Sequence, residues 1–430
     1  MPNTLRWLTL LLSLTLLVGC NDDEKEKEVA GETTARRTVL MYVSAQNSLG
    51  YRDFNVQDSV EVANGHKFID ENDRLLVYMD DENYPRIYRY TAAQGKPEVV
   101  RTWNKDVNSS SPDVLEEVLN WTKANFPAKE YGMVMWSHSD GWLPSTNKDY
   151  RSSAVSTLSF GIDVGENGHM NYDKDQNGKI GAQMDIEDMA TAIGNSGIHF
   201  KYIFFDSCLM QNLEVGYTLR GVTDYLIAAP IQIPGCGANY THMLEKGLFT
   251  DAEYDIVETY TKDATEGFDD YNNEYYDYGI VISSIKTDQL ENLAQTTTEV
   301  LSRSNLMGKT SPDMESVPHY QAYTSNYFYR PHNYDAQEAM RKILDKKDFE
   351  IFKTALNDAI VCKGATKEFW IGPYNYDMQS VDLERYCGVS MFIPQTIYHK
   401  NSAFCAYGDL NEKFQATSWY KAAGWKNTGW

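Results

Sequence analysis

The sequence predicts an α/β fold in which a largely parallel central sheet is flanked by helices. Short apolar runs of strand length alternate with stretches of helical periodicity, which is the pattern of repeated strand and helix units. Two of the apolar runs lead directly into polar segments that carry a histidine and a cysteine, His138 and Cys208. After Arg37 the composition is that of one globular unit, without a second long apolar stretch or a visible repeat.

Strands are predicted where short apolar runs lie between turn-forming residues. They cover residues 38–43, 75–79, 133–136, 202–205, 225–229 and 279–283. A further strand, residues 388–394, comes late in the chain, and its closing proline predicts a position at or near a sheet edge.

Helices are predicted from capping residues and from apolar residues at helical spacing. Ser111 is a good N-cap and Pro112 suits the first helical position of a helix that continues to residue 121 and beyond. The other predicted helices cover residues 186–193, 210–219, 254–264, 288–301 and 336–361, the last with a break near residues 346–347. The tyrosine-rich segment 318–334 is interpreted as a loop or a capping subdomain.

Residues 1–20 have the pattern of a signal peptide. A short basic start precedes an apolar run that is too short for a comfortable membrane span. The run closes at Leu17-Val18-Gly19-Cys20, which resembles the lipobox of bacterial lipoproteins. The resemblance implies cleavage before Cys20 and a lipid on its thiol. The alternatives are an uncleaved anchor and an ordinary signal peptide with an incidental cysteine.

A flexible acidic tether is predicted for residues 21–37, because this segment is polar and charge-rich and lacks an apolar period. Its acidic start, Asp22-Asp23-Glu24, resembles a signal that exports lipoproteins to the cell surface. The folded domain is then expected at residues 38–425. The protein is predicted to be a monomeric outer-membrane lipoprotein that faces the periplasm or the cell surface.

The charge of the chain restricts its partners. A formal net charge of -22 at pH 7 argues against nucleic-acid binding, which needs stripes of lysine and arginine. A negative surface attracts basic peptides instead. The chain also lacks a glycine-rich phosphate loop between a strand and a helix, which argues against a nucleotide-binding protein.

The cysteines point to a reactive thiol. Six are present, and with Cys20 lipidated five remain, so at least one is unpaired within the chain. None has the short paired spacing of a zinc or iron–sulfur site. Cys208 has the most informative position, because it follows a predicted buried strand.

His138 has the same position after another predicted strand. Residues beyond the carboxyl ends of buried strands line the functional crevice of an open α/β sheet. A cysteine and a histidine there can form the thiolate–imidazolium pair of a cysteine peptidase. A helix that begins near residue 210 would help to lower the pKa of the Cys208 thiol. A buried structural cysteine and a hydrogen-bonded crevice histidine are the alternatives.

Four segments resemble the clostripain family of cysteine peptidases. They are Asn47-Ser48-Leu49 at the exit of the first strand, His138-Ser139-Asp140-Gly141-Trp142, Asp206-Ser207-Cys208-Leu209-Met210 with Glu214 and Tyr217 in the helix that follows, and Gly388-Val389-Ser390 with Pro394. The order and spacing of all four agree with the family. The resemblance implies a caspase-like three-layer sandwich with a C-terminal helical subdomain and a returning strand.

The resemblance also implies roles for individual residues. Cys208 would attack the scissile carbonyl, His138 would transfer the proton to the leaving amine, and the backbone N–H of Ser139 would hold the oxyanion. Asp206 would lie in a pocket for a basic P1 side chain, so that cleavage follows arginine or lysine. The equal alternative for Asp206 is a cap on the following helix.

Three positions depart from the family pattern. Ser139 stands where glycine is usual, and Ser207 where alanine is common. Both changes replace one small residue with another and keep the chemistry possible. The segment 231–237 lacks acidic side chains that some relatives have near the substrate, which puts the specificity in question.

Residues 173–180 match the first eight positions of a calcium-binding loop. The closing glutamate is missing, since Met184 occupies position twelve and Asp185 comes one place late. The segment is therefore either a non-standard calcium site or a glycine-containing turn, and the calcium dependence of clostripain-like enzymes favours the site. No organic cofactor is predicted. The candidate ligands are Asp173, Asp175, Asn177 and Lys179.

Residues 143–160 are polar and contain Lys148 and Arg151. Proteolytic nicking concentrates in exposed segments of this kind. In the clostripain family this linker can be cut by the enzyme itself during maturation. The rival interpretation of the whole chain is a catalytically silent lipoprotein of the same fold that binds a peptide or a glycan.

Overall fold

The computed structural model describes residues 24–26, 33–93, 96–144, 159–252, 254–266, 279–321, 331–371, 378–398 and 409–430. The predictions for residues 1–20, for Cys20, and for Lys148 and Arg151 lie outside these ranges. In the part of the chain that is described, no helix combines the length and apolar character that a membrane crossing requires.

The strands and helices are numbered here in chain order. The strands are β1 Glu24–Glu26, β2 Ala35–Ser44, β3 Asp73–Asp80, β4 Arg86–Tyr90, β5 Glu98–Trp103, β6 Ala128–Trp136, β7 Phe160–Asp163, β8 Ala182–Met184, β9 Phe200–Asp206, β10 Thr223–Ala228, β11 Val281–Lys286, β12 Tyr334–Asp335, β13 Ile360–Ala365, β14 Glu368–Trp370, β15 Met378–Ser380 and β16 Ser390–Met391. The helices are α1 Ser48–Tyr51, α2 Phe54–Gly65, α3 Pro112–Asn125, α4 Ile186–Ser196, α5 Leu213–Leu219, α6 Tyr240–Lys246, α7 Tyr254–Glu266, α8 Leu290–Arg303, α9 Ala336–Ile343, α10 Lys346–Ala359, α11 Leu410–Ala416 and α12 Ser418–Ala422.

Within the described ranges, ten strands form one sheet in the order β1-β5-β4-β3-β2-β6-β9-β10-β11-β13. The five central strands, from β3 to β10, run parallel, and the strands on both flanks are antiparallel. Parallel strands are covered by helices on both faces, so their sequences are nearly continuous apolar runs. This is why the sequence pattern located the five central strands.

The sheet separates two apolar cores. Leu40 and Tyr42 of β2 belong to one core, and the alternating residues Val39, Met41 and Val43 belong to the other. Successive side chains of a strand point to opposite faces, so helices pack on both sides of the sheet. The predicted three-layer α/β sandwich is confirmed.

The folded unit is longer than the predicted domain at both ends. Strand β1 pairs with β5 and strand β2 begins at Ala35, so residues 24–26 and 35–37 of the predicted tether belong to the sheet. Arg36 forms an ion pair with Asp73 of β3, and buried Arg37 pairs with Glu130 of β6 at 2.8 Å. At the other end Trp425 and Thr428 are fully buried.

The flanking strands β4, β5 and β13 were not predicted. Strand β4 mixes arginine and tyrosine, and residues of β13 were assigned to the end of the 336–361 helix. These strands lie toward the sheet's edges and are less buried, so their sequences lack the apolar runs of the centre. Strand β11 was predicted two residues early, and it runs antiparallel to β10.

The late segment 388–394 does not join the central sheet. Only Ser390–Met391 is a strand, and it pairs with β12. Gly388 adopts a left-handed φ of 81°, and its carbonyl accepts a hydrogen bond from Ser283 of β11. The segment then lies against the entry to α5, where Ser390 N–H donates to the Gln211 carbonyl. Its contribution is to hold the loop between β9 and α5.

Candidate active site

Cys208 and His138 follow strands that are neighbours in the sheet. Strands β6 and β9 are parallel neighbours, and their last residues, Trp136 and Asp206, are register partners. Each candidate residue follows two positions beyond its strand end. Both side chains line one cavity of about 460 Å³ at the carboxyl edge of the sheet. The predicted juxtaposition of the two segments is therefore present.

The cysteine lies in a sharp turn rather than at a helix start. Leu209 has a left-handed φ of 61°, an uncommon conformation for a branched residue that tends to occur at functional sites. Its N–H donates to the Ile231 carbonyl at 2.8 Å. Helix α5 begins at Leu213, three residues later than predicted, and Asn212 is its N-cap.

The surroundings of the thiol raise its pKa. Burial raises the pKa of Cys208 to about 12, the carboxylates of Asp140 and Asp206 add to the shift, and a contact with the Ile233 carbonyl opposes it. The expected lowering by a helix N-terminus is wrong for this geometry, because the helix begins too far along the chain. The resting thiol is neutral and needs a base to remove its proton as it attacks.

The imidazole of His138 is suited to act as that base. Desolvation lowers its pKa, with the carboxylate of Asp173 opposing the shift and the guanidinium of Arg52 supporting it. A neutral imidazole can accept a proton at neutral pH. Its Nε2 lies 2.9 Å from Ser48 Oγ and 3.8 Å from Asp173 Oδ2.

Ser48 is held in place by its neighbour Asn47. The Asn47 side-chain oxygen accepts a hydrogen bond from Leu49 N–H and caps α1. Its amide nitrogen donates to three oxygens near the ends of β2, β6 and β7, namely Ser44 O, Ser137 Oγ and Ile162 O. Asn47 is fully buried, and both its side-chain oxygen and its amide nitrogen are hydrogen-bonded. This explains the asparagine of the Asn-x-Leu segment.

The residues after His138 connect the histidine loop to the cysteine loop. The Ser139 hydroxyl donates to the Cys208 carbonyl, a bond that glycine could not make. Gly141 has a φ of 71°, and a Cβ there would approach the Leu209 carbonyl oxygen to 2.8 Å. Trp142 packs against Phe392 of the late segment, with ring centroids 5.2 Å apart. The substitution at position 139 therefore adds a contact between the two loops.

Asp206 forms part of the cavity wall and does not cap α5. Its side chain is 3% exposed and accepts hydrogen bonds from Ala238 N–H at 3.0 Å and the Tyr240 hydroxyl at 2.7 Å. Burial raises the pKa of this carboxyl to about 6, and these hydrogen bonds oppose the shift. A Cβ at Gly237 would lie 2.5 Å from Asp206 Oδ2, so glycine leaves space for the carboxylate. The helix-cap interpretation is wrong.

The sequence was compared with models of protein families. The clostripain family model matches residues 41–430. This chain belongs to the clostripain family.

The clostripain-family relatives agree in sequence and in fold. A secreted C11 cysteine protease from Bacteroides thetaiotaomicron, solved with an irreversible peptide inhibitor, has a TM-score of 0.72 and 28% sequence identity; the match covers 91% of this chain and 99% of that one. An inactive zymogen C11 protease from Parabacteroides distasonis has a TM-score of 0.70 at 24% identity, with 91% and 99% covered, and supports the fold. Clostripain of Hathewaya histolytica is 24% identical over 235 residues, which span 49% of this chain and 41% of that protein.

The calcium-like loop of this clostripain-family chain uses its carboxylates for other contacts. Asp173 accepts hydrogen bonds from Ser48 N–H and the Ser48 hydroxyl, at 2.6 and 2.9 Å. Asp175 Oδ1 accepts from Asn177 N–H and Lys179 N–H, at 2.8 and 2.9 Å. Within the described ranges no group of three or more histidine, cysteine, aspartate or glutamate side chains is placed to hold a metal ion. Calcium binding by this loop stays a prediction.

Two residues of the site were missed by sequence analysis. Ser48 is the variable position of Asn-x-Leu, and Asp173 was interpreted only as a calcium ligand. They are 125 positions apart, and a single sequence carries no signal that they meet. The position of Ser48 directly after a strand end was the one available indication.

Proposed function

We propose that this protein is a cysteine endopeptidase in which Cys208 is the nucleophile and His138 transfers the proton. The observation that carries the proposal is the placement of both side chains beyond paired ends of neighbouring parallel strands, in one cavity. Membership in a family of cysteine peptidases supports the same reaction.

The chemistry follows from the charge states of the two groups. The neutral imidazole of His138 takes the proton of Cys208 as the sulfur attacks the peptide carbonyl. The resulting imidazolium gives that proton to the leaving amine, which departs and leaves a thioester. Water, deprotonated by His138, then hydrolyses the thioester and releases the free thiol. The N–H of Ser139 is the proposed donor to the oxyanion.

The proposed substrates are peptides with arginine or lysine at P1. Asp206 is the carboxylate in the cavity wall, and a buried carboxylate favours a cationic side chain. The net charge of -22 attracts basic peptides to the protein as a whole.

Fluorogenic peptides test the function directly. The soluble domain is expected to hydrolyse substrates with arginine or lysine at P1 faster than matched peptides with a neutral P1 residue. No turnover of any peptide, by a chain that binds them, would favour the catalytically silent alternative. Repeating the assay with a chelator and with added calcium tests the predicted calcium dependence.

Self-cleavage is predicted within residues 143–160. We expect the parent protein to appear as two fragments cut after Lys148 or Arg151, since an enzyme with a basic P1 preference would recognise both. The fragments should remain associated, because β6 and β9 lie on either side of the linker and pair over most of their length. Intact-mass measurement and N-terminal sequencing would identify the cut.

Two variants control the self-cleavage experiment. Cys208→Ala should remain a single chain, and Lys148→Gln combined with Arg151→Gln should remain single while keeping the nucleophile. An active parent enzyme that stays uncut would contradict self-processing. Cleavage of Cys208→Ala in a host without contaminating protease would assign the cut to another enzyme.

Lipid attachment at Cys20 is proposed from the lipobox-like end of the signal segment. Cells grown with an alkyne-tagged fatty acid should label the parent protein in the membrane fraction, whereas Cys20→Ala should carry no label. An unlabelled parent protein would contradict the lipoprotein assignment and leave the peptidase proposal intact.

A further inference from the structure

We propose that Ser48 and Asp173 are positioning residues that fix the tautomer of His138. Asp173 holds the Ser48 hydroxyl, and the hydroxyl in turn holds Nε2 of the imidazole. This inference rests on the proposed function, because it presupposes that His138 transfers protons in the reaction.

The hydrogen-bond donors decide the tautomer. The Ser48 hydroxyl donates to Asp173 Oδ2 at 2.9 Å. A hydroxyl has one proton, so Ser48 Oγ can only accept from His138 Nε2, which lies 2.9 Å away. The proton of the neutral imidazole is therefore on Nε2, and Nδ1 keeps the free lone pair. The hydrogen bond at one ring nitrogen sets the role of the other.

This tautomer serves the proposed chemistry. With Nε2 occupied, Nδ1 is the nitrogen that can accept the Cys208 proton and return it to the leaving amine. When the ring becomes an imidazolium, Nε2–H continues to donate to Ser48, and the carboxylate of Asp173 lies 3.8 Å from Nε2. The guanidinium of Arg52 disfavours the positive ring and lowers the pKa of His138. The carboxylates of Asp140 and Asp206 raise the pKa of the Cys208 thiol.

Both positioning residues are themselves held by the fold. Asp173 has a left-handed φ of 55°, and its carbonyl accepts a hydrogen bond from Gly181 N–H at 3.0 Å. The Ser48 N–H donates to Asp173 Oδ1 at 2.6 Å, which ties the start of α1 to this loop. Asn47, the residue before Ser48, is itself anchored by its amide to the Ser44 carbonyl. A non-glycine residue in this region of φ persists only where the surrounding structure imposes it.

The same contacts show what the carboxylates of residues 173–180 bond to in this structure. The first position of the pattern, Asp173, directs both carboxylate oxygens to Ser48. Asp175 instead holds the turn through backbone N–H groups of the loop. The loop thus presents a carboxylate to the histidine.

Steady-state kinetics separate positioning from a structural role. Ser48→Ala and Asp173→Asn are each expected to lower kcat by about tenfold to a hundredfold, with KM changed by less than about twofold. Ser48→Thr keeps the hydroxyl and should recover most of kcat. Ser44→Ala is the matched control, because it removes another buried hydroxyl, which contacts Ser109 and not the histidine. Melting temperatures show whether each variant is folded.

The tautomer can also be observed without turnover. In Cys208→Ala protein labelled with ¹⁵N-histidine, the His138 signals should be those of the Nε2–H form. Adding Ser48→Ala should shift them toward the other tautomer. The histidine signal is assigned by its absence in the His138→Ala variant.

The outcomes distinguish this inference from the proposed function. If the parent enzyme is active and depends on His138, but Ser48→Ala and Asp173→Asn match it in kcat, the positioning role is overturned. An Nδ1–H form in the Cys208→Ala spectrum overturns it as well. A parent enzyme whose activity does not depend on His138 overturns the proposed function itself.

Discussion

Replacing Cys208 or His138 with alanine is expected to lower peptide hydrolysis by about a thousandfold or more. Cys208→Ala removes the proposed nucleophile, and no other described thiol lines the cavity. His138→Ala leaves a thiol whose pKa is raised to about 12, so almost none is ionised at neutral pH. Each variant is expected to lose activity while its melting temperature stays close to that of the parent, because both side chains are only partly buried.

Cys236→Ala is the matched control for the loss of the thiol. Cys236 lies in the loop beside Gly235 and Gly237, which line the cavity, while its own side chain does not. Its replacement should leave kcat/KM within about twofold of the parent value. A folded Cys208→Ala or His138→Ala variant that hydrolyses peptides at the parent rate would refute the proposed nucleophile or base.

The pairing of Cys208 and His138 could be predicted because it depends on short-range patterns. Each residue follows an apolar run, and parallel strands bring their carboxyl ends to one edge of a sheet. These local patterns do not indicate the order of the strands in the sheet. That β6 and β9 are neighbours, with Trp136 opposite Asp206, is a property of the assembled sheet.

The start of α5 shows how local chemistry overrides an apolar pattern. Met210 is apolar and fits the helical period, yet Asn212 accepts a hydrogen bond from Val215 N–H and begins the helix later. The intervening residues form the turn in which Leu209 has a positive φ. The error changed the predicted chemistry, since a thiol at a helix N-terminus would have a lowered pKa.

The contacts of Ser48 with Asp173 could not be predicted from the sequence. The calcium-like pattern was a correct observation of residue types, but the hydrogen bonds of Asp173 are made to a segment far away in the chain. Residues that act on a catalytic group from a distant loop carry no spacing signal. The C-terminal segment is similar, because Ser390 was expected in a sheet and instead lies on the loop before α5.

Asp206→Asn is expected to lower kcat/KM for arginine and lysine substrates by about a hundredfold to a thousandfold. The asparagine keeps the shape and one acceptor for Ala238 N–H and the Tyr240 hydroxyl, but it removes the charge that would pair with a basic P1 side chain. Substrates with a neutral P1 residue should lose less than about tenfold. Paired fluorogenic peptides that differ only at P1 directly give the ratio of kcat/KM for basic P1 residues to kcat/KM for neutral ones.

The pH dependence of the same ratio gives a second measurement. The Asp206 carboxyl has a pKa raised to about 6 by burial, so it gains a proton and loses its charge as the pH falls through that value. The preference for basic over neutral P1 residues should therefore decline below about pH 6 in the parent enzyme and stay flat in Asp206→Asn. Ionisation of His138 and Cys208 cancels from the ratio, because both substrates use the same two groups.

Asp140→Asn is the matched control for the loss of charge. Asp140 is buried and raises the pKa of Cys208 as Asp206 does, but it does not line the cavity. Its replacement should change kcat/KM for basic and for neutral P1 substrates by the same factor, because Asp140 acts on the thiol and not on the P1 side chain. If Asp206→Asn also affects both substrate classes equally, Asp206 supports the structure of the cavity through Ala238 and Tyr240, and the P1 preference must be set by other residues.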